Sequence, residues 1–224
     1  VKYFMHKIIN NFLKIQDTLN QLKLDLQEDT KTKIIAVSKT FLMNDIQPLI
    51  QHGHKDFGEN KIQEAISKWS DVKEKNPQIK LHMLGKIQTN KVKFLLPLFD
   101  YIHSLDNLKL AQKISEEETK KKKKLKIFIQ VNIANESQKN GIDINNLNEF
   151  YLKCKNDLNL NIVGLMCLPP ESKEPTEYFL LLKKLAKHLN IFELSMGMSN
   201  DYQEAIKCGS SYLRVGSGIF GKRV

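Results

Sequence analysis

Along the first 27 residues, apolar side chains return every three or four positions, at Ile8, Phe12, Ile15, Leu19 and Leu22. That spacing predicts an amphipathic helix with one buried stripe. Beyond it the texture changes and then repeats. Short β-rich runs alternate with stretches of helical period: strand 33–38 before helix 44–52, strand 54–57 before helix 61–69, and strand 80–84 before a helix 89–95 that Pro97 closes. Strand 100–104 precedes helix 107–118, and the clearest strand, 125–133, precedes helix 145–154. Strand 161–166 precedes helix 176–189, whose stripe is Phe179, Leu182, Leu185 and Leu189; strand 192–195, helix 201–208 and a last strand 212–215 complete the order.

No turn dipeptide joins two β-runs directly, since Asn140-Gly141 separates a strand from a helix. Strands linked by helical crossovers pair in parallel. Eight such units within 224 residues predict an α/β fold, a single (β/α)8 TIM barrel with an extra N-terminal helix, residues 1–224 forming one domain. An open doubly wound sheet is the runner-up.

Composition narrows the function. The net charge is +10, yet of 35 basic residues only Arg214 and Arg223 are arginine. Nucleic-acid surfaces gather arginine for bidentate contacts, so the dispersed lysines predict no nucleic-acid partner. The run Lys120–Lys124 follows Glu116-Glu117-Glu118 and reads as a solvated helix end and loop. No apolar run nears the ~18 residues of a membrane span, and the N-terminal segment breaks its apolar residues with Lys, His and Asn, so neither a membrane segment nor a signal peptide is expected. Cys154, Cys167 and Cys208 form no CxxC pair, which favours a reducing cytoplasm over a disulfide scaffold. No His, Cys or Asp cluster has metal-ligand spacing, His52 and His54 read as surface residues flanking Gly53, and no nucleophile elbow supports a serine triad.

In such a barrel the active face lies at the C-terminal ends of the strands. The residues just past the predicted strands include Lys39-Thr40, Gly58-Glu59-Asn60, Gly85-Lys86, Asp106, Asn132, Met166, Ser195–Ser199 and Gly216-Ser217-Gly218. A lysine, a carboxamide, hydroxyls and glycines therefore converge, and the last two loops hold the usual phosphate position of these barrels. Lys39 ends the apolar run Ile34–Val37. A lysine partly withdrawn from water has a depressed pKa and serves as a Schiff-base nucleophile. The plainer reading is a solvent lysine capping a strand, and position alone does not overturn it.

Seven motifs do. Val37-Ser38-Lys39-Thr40, Phe57-Gly58-Glu59-Asn60, Gly85-Lys86-Ile87-Gln88-Thr89-Asn90-Lys91, Gln130-Val131-Asn132-Ile133, Gly164-Leu165-Met166, Leu194–Asp201 with its Ser-Met-Gly-Met-Ser core, and Arg214-Val215-Gly216-Ser217 occur in this order. Together they resemble the pyridoxal-phosphate homeostasis (YggS/PROSC) family, over about residues 7 to 223. The resemblance implies a single barrel similar to the N-terminal domain of alanine racemase and pyridoxal 5′-phosphate (PLP) as cofactor. It implies Lys39 as the Schiff-base lysine, Asn60 beside the ring, Met166 and Met198 packed around it, Arg214 facing the pyridine nitrogen, and Ser199, Gly216 and Ser217 holding the phosphate. Two departures, Lys61 after Gly-Glu-Asn where an aromatic is common and Gln138 before Lys139 where Ser is usual, touch only ancillary contacts.

The function so implied is buffering and delivery of PLP and related B6 vitamers in the cytoplasm by a monomer, through transient contact with apo PLP enzymes and with little or no turnover. The chain ends eight residues after Gly216, so the second domain of the resembling racemases is expected to be absent. A PLP-dependent amino-acid racemase is the alternative. A barrel enzyme acting on a phosphorylated metabolite without PLP is the third reading.

Overall fold

Eight short strands pair in the order in which they occur: β1 (Lys33–Val37), β2 (Asp56–Glu59), β3 (Lys80–Met83), β4 (Tyr101–Leu105), β5 (Lys126–Val131), β6 (Ile162–Cys167), β7 (Glu193–Met198) and β8 (Tyr212–Val215). Every neighbouring pair is parallel, and β1 closes the barrel on β8 with Ile35 opposite Arg214. The structure, a computed structural model, describes residues 6–27, 31–136 and 138–221.

Strand periodicity divides the core in two. Ile35, Val37, Tyr101, Phe128, Met166 and Tyr212 pack together inside the barrel. Their alternate neighbours, among them Ile34, Ala36, Ile102, Leu213 and Val215, pack in the larger layer between strands and helices. That layer is completed by α1 (Lys7–Leu26), α2 (Met43–Gln51), α3 (Ile62–Lys75), α4 (Leu95–Leu98), α5 (Leu108–Lys121), α6 (Leu147–Leu152), α7 (Thr176–His188), α8 (Tyr202–Lys207) and α9 (Ser217–Phe220). The stripe predicted for α1 is its buried face, with Leu22 partly buried at its edge, and it packs against α2, α8 and α9. Asn11 donates its side-chain amide to the carbonyl of Ile219 at 3.0 Å, so α1 braces α9 from behind. Residues 1–5 of the predicted first helix lie outside the described residues.

The structure departs from expectation in several places. Segment 89–95 is a 3₁₀ turn, Thr89–Phe94, leading into α4. Pro97 sits inside α4 rather than after it, because a first helical turn needs no N–H donor. The predicted helix 145–154 becomes a 3₁₀ turn (Ile144–Asn146), α6 and a π turn (Lys153–Asp157). Strand 125–133 stops at Val131, where Ile142 returns beside it and accepts from the Asn132 N–H at 3.0 Å. Gly141 makes that return possible: its φ is +125°, and a Cβ there would lie 2.5 Å from the Asn132 nitrogen. In the lysine run, Lys123 is half-buried and donates to the Phe99 carbonyl at 3.0 Å, while its neighbours are exposed. His54 is not a surface residue: half-buried, it lies edge-on to Phe12 and Phe57, with Nε2 2.8 Å from the Asp56 carbonyl. His52 is exposed as expected.

Candidate functional site

The C-terminal ends of the strands surround a cavity of about 990 Å³, and all eight residues singled out from the sequence line it: Lys39, Asn60, Met166, Met198, Ser199, Arg214, Gly216 and Ser217. They come from β1, β2, β6, β7 and β8 or the residues just beyond, so only barrel closure brings them together.

Lys39 stands two residues past β1, half-buried, on a segment gripped from below. The gripping group is Glu59, wholly buried at the end of β2. Its Oε1 accepts from Ser38 Oγ (2.7 Å), Trp69 Nε1 (2.9 Å) and Lys68 Nζ (3.0 Å). Lys68 also donates to the Ser38 carbonyl at 2.9 Å and to Glu64 at 2.9 Å, and Glu64 in turn accepts the Thr40 N–H. Both neighbours of Lys39 are thereby tied to α3, and Thr40 is held at φ +69°, a conformation uncommon for a β-branched residue. Sequence reading had Glu59 only as part of a motif and missed Lys68, Glu64 and Trp69.

Asn60 is held close by the next loop, where Gly85 passes so near that a Cβ would lie 2.2 Å from the Asn60 carbonyl oxygen. Met166 is buried at the cavity floor and Met198 is half-buried on its side. Ser199 Oγ accepts the Gly218 N–H at 3.1 Å, joining the loops after β7 and β8 into one polar rim, with Gly216 and the exposed Ser217 beside it. Arg214 is 5% exposed, donating from Nη1 to Ser195 Oγ at 2.7 Å and from Nη2 to the Cys167 carbonyl at 2.8 Å. Burial lowers its pKa from the ordinary arginine value, with Cys167 and Asp201 opposing that shift. The remaining wall was not legible: Phe41, which stacks on Phe220 at 4.9 Å between centroids, Leu84, and the Leu168-Pro169-Pro170 segment after β6. Among the described residues, no group of three or more His, Cys, Asp or Glu side chains could hold a metal ion, and no helix is long and apolar enough to cross a membrane.

An amine, a guanidinium and a hydroxyl-bearing rim around one cavity suit a small anionic carbonyl compound. The comparisons with known proteins agree in kind. The alanine racemase N-terminal-domain family matches residues 11–224. A pyridoxal phosphate homeostasis protein of Pasteurella multocida is 34% identical over 229 residues, covering 94% of this chain and 98% of that protein. PipY of Synechococcus elongatus, solved with PLP bound, has 30% identity and a TM-score of 0.80, covering 91% of this chain and 100% of its own. An alanine racemase of Clostridium difficile shares the fold at 13% identity and a TM-score of 0.73, this chain spanning 57% of its length. Barrel, motif order and near full-length relatives converge, and the chain belongs to the pyridoxal phosphate homeostasis protein family, built on the alanine racemase N-terminal domain.

Proposed function

We propose that the cavity binds PLP, anchored as a Schiff base on Lys39, and that the protein buffers the cofactor and hands it to apo PLP enzymes with little or no turnover of its own. The observation that carries this reading is the convergence, in one cavity, of Lys39, the buried Arg214 and the Ser199–Gly216–Ser217 rim. The PLP held by PipY and the naming of the Pasteurella relative support it.

PLP supplies an electrophilic aldehyde and an electron-accepting ring. The protein's part is to hold and aim. Lys39 is the covalent anchor, kept in place by the Glu59–Lys68 clamp beneath it. Ser199 and Ser217 offer hydroxyls to the phosphate, next to backbone N–H groups of the last loop. Arg214 is a pure donor, so a ring nitrogen facing it accepts a hydrogen bond and stays unprotonated, which weakens the ring as a sink for carbanion charge. Three buried, free cysteines are in keeping with the cytoplasm.

Borohydride reduction, digestion and mass spectrometry should place the pyridoxyl group on the peptide containing Val37-Ser38-Lys39-Thr40. An adduct on Lys86 or Lys139, with Lys39→Ala still yellow, would overturn the assignment. Incubation with L- and D-alanine in deuterated water should give no Cα exchange at ordinary enzyme rates, about 1–10³ per second. Exchange at such rates would identify a racemase instead.

A further inference from the structure

A row of polar side chains crosses the inside of the barrel, from the opposite mouth up to the cavity. Asp56, the first residue of β2, places Oδ1 3.1 Å from His82 Nε2 on β3. His82 Nδ1 is 2.9 Å from His103 Nε2 on β4, and His103 Nδ1 is 2.8 Å from Ser195 Oγ on β7. Ser195 Oγ accepts from Arg214 Nη1 at 2.7 Å, and Arg214 lines the cavity. His82, His103 and Ser195 are wholly buried, whereas the Asp56 side chain is 16% exposed. Aromatic rings wall the row: Tyr101 stacks on His82 at 4.3 Å and Phe128 on His103 at 4.4 Å.

The two ends of this row impose the same direction on it. A guanidinium only donates, so Ser195 accepts from Arg214 and turns its own hydroxyl proton toward His103 Nδ1. His103 then carries its proton on Nε2 and donates to His82 Nδ1. His82 carries its proton on Nε2 and donates to the Asp56 carboxylate, which only accepts. Reading from Asp56 upward gives the same tautomers. Burial disfavours an imidazolium at either ring, and the His82 hydrogen bond favours the ionised form of Asp56. The charged and titratable neighbours are Lys33, His54 and Asp100 toward the Asp56 end, Glu193 and Lys126 across the Tyr101–Tyr212 pair, and Cys167 and Asp201 beside Arg214.

We infer that this row is a one-directional hydrogen-bond relay, in which Ser195, His103 and His82 are positioning residues that tie the orientation of Arg214 to the carboxylate charge at the far mouth. Its effect on cofactor rests on the PLP reading above; its direction does not. With Asn at position 56, the amide can turn an N–H toward His82 Nε2, and the whole order can reverse. His103 would then donate to Ser195 Oγ alongside Arg214, leaving the serine proton without its acceptor and loosening the guanidinium.

Two measurements test this. In protein carrying ¹⁵N-histidine and no PLP, two-bond ¹H–¹⁵N correlation at pH 7.5 should show His82 and His103 neutral, each with its proton on Nε2. An imidazolium or an Nδ1–H ring at either position would overturn the relay. In PLP-loaded Asp56→Asn, a population with the proton on Nδ1 should appear, with a displaced visible band and PLP binding about three- to tenfold weaker. Altered tautomers with an unchanged band and affinity would show that the row does not reach the cofactor. Wild-type protein that takes up no PLP would refute the PLP reading, while the first measurement would still decide the relay. Should Asp56→Asn fail to fold, the wild-type tautomers decide it alone.

Discussion

Removing the carboxylate of Glu59 should unseat Lys39 without touching the cavity. Glu59→Ala takes a common acceptor from Ser38, Trp69 and Lys68, in a place where Glu59 is wholly buried and the Lys68 side chain is 8% exposed. Trp69 Nε1 left unpaired in the interior would cost about 1–3 kcal/mol, while Ser38 Oγ would keep only the Gly58 carbonyl at 3.4 Å. Lys68 keeps Glu64 and the Ser38 carbonyl, but Glu64 is 26% exposed and screened, so this remaining pair offsets little. Breaking a buried pair from one side costs about 3–5 kcal/mol, and Glu59→Ala should fall in that range. Glu59→Gln keeps an oxygen facing all three donors and loses the charge, placing an amide where Oε2 has no hydrogen-bond partner. It should cost about 1–2 kcal/mol, the difference between charge-assisted and neutral hydrogen bonds. Urea unfolding at pH 7.5, followed by far-UV circular dichroism and by the fluorescence of the single tryptophan, Trp69, gives both values. Glutamine should also retain more covalent PLP loading than alanine. Equal losses for the two variants, or losses under about 0.5 kcal/mol, would refute the clamp.

Three further outcomes are expected. Burial holds His54, His82 and His103 below the ordinary imidazole value of 6.5, so the unfolded chain binds protons that the folded chain refuses. Stability should therefore be level well above pH 6.5 and fall as pH drops below it, by up to about 1.4 kcal/mol per pH unit for each ring; denaturation curves unchanged down to pH 5 would contradict this. Ser199→Ala should weaken PLP binding by roughly ten- to 150-fold, from loss of about 1.5–3 kcal/mol, and leave pyridoxal binding nearly unchanged; equal effects on both would misplace the phosphate. Burial pushes the Cys154 and Cys167 thiols up to about 12 and raises Cys208 as well, so a thiol reagent at pH 8 should label none of them in native protein and all three in urea.

Strand and helix order was legible in the chain because period-2 and period-3.6 burial leave different marks, and eight strands joined by seven crossovers admit few closed topologies. The cavity-lining set was legible for a related reason. A parallel barrel gathers the residues just past its strand ends onto one face, so local sequence is enough to nominate Lys39, Asn60, Ser199 and Ser217. Short irregular elements were not legible: the 3₁₀ turn before Pro97 and the π turn after Leu152 are set by how the segments dock on the barrel, not by their own propensity. Side-chain partners across the barrel were hidden most completely. His54 reads as a loop residue until Phe12 of a distant helix closes over it. Glu59, His82, His103 and Ser195 carry no local signal, because what makes each of them tolerable in the interior lies on a different strand or helix, 9 to 92 residues away. A sequence determines which residues a strand turns inward; only closure of the sheet decides which inward groups meet, and buried polar groups persist only where they do.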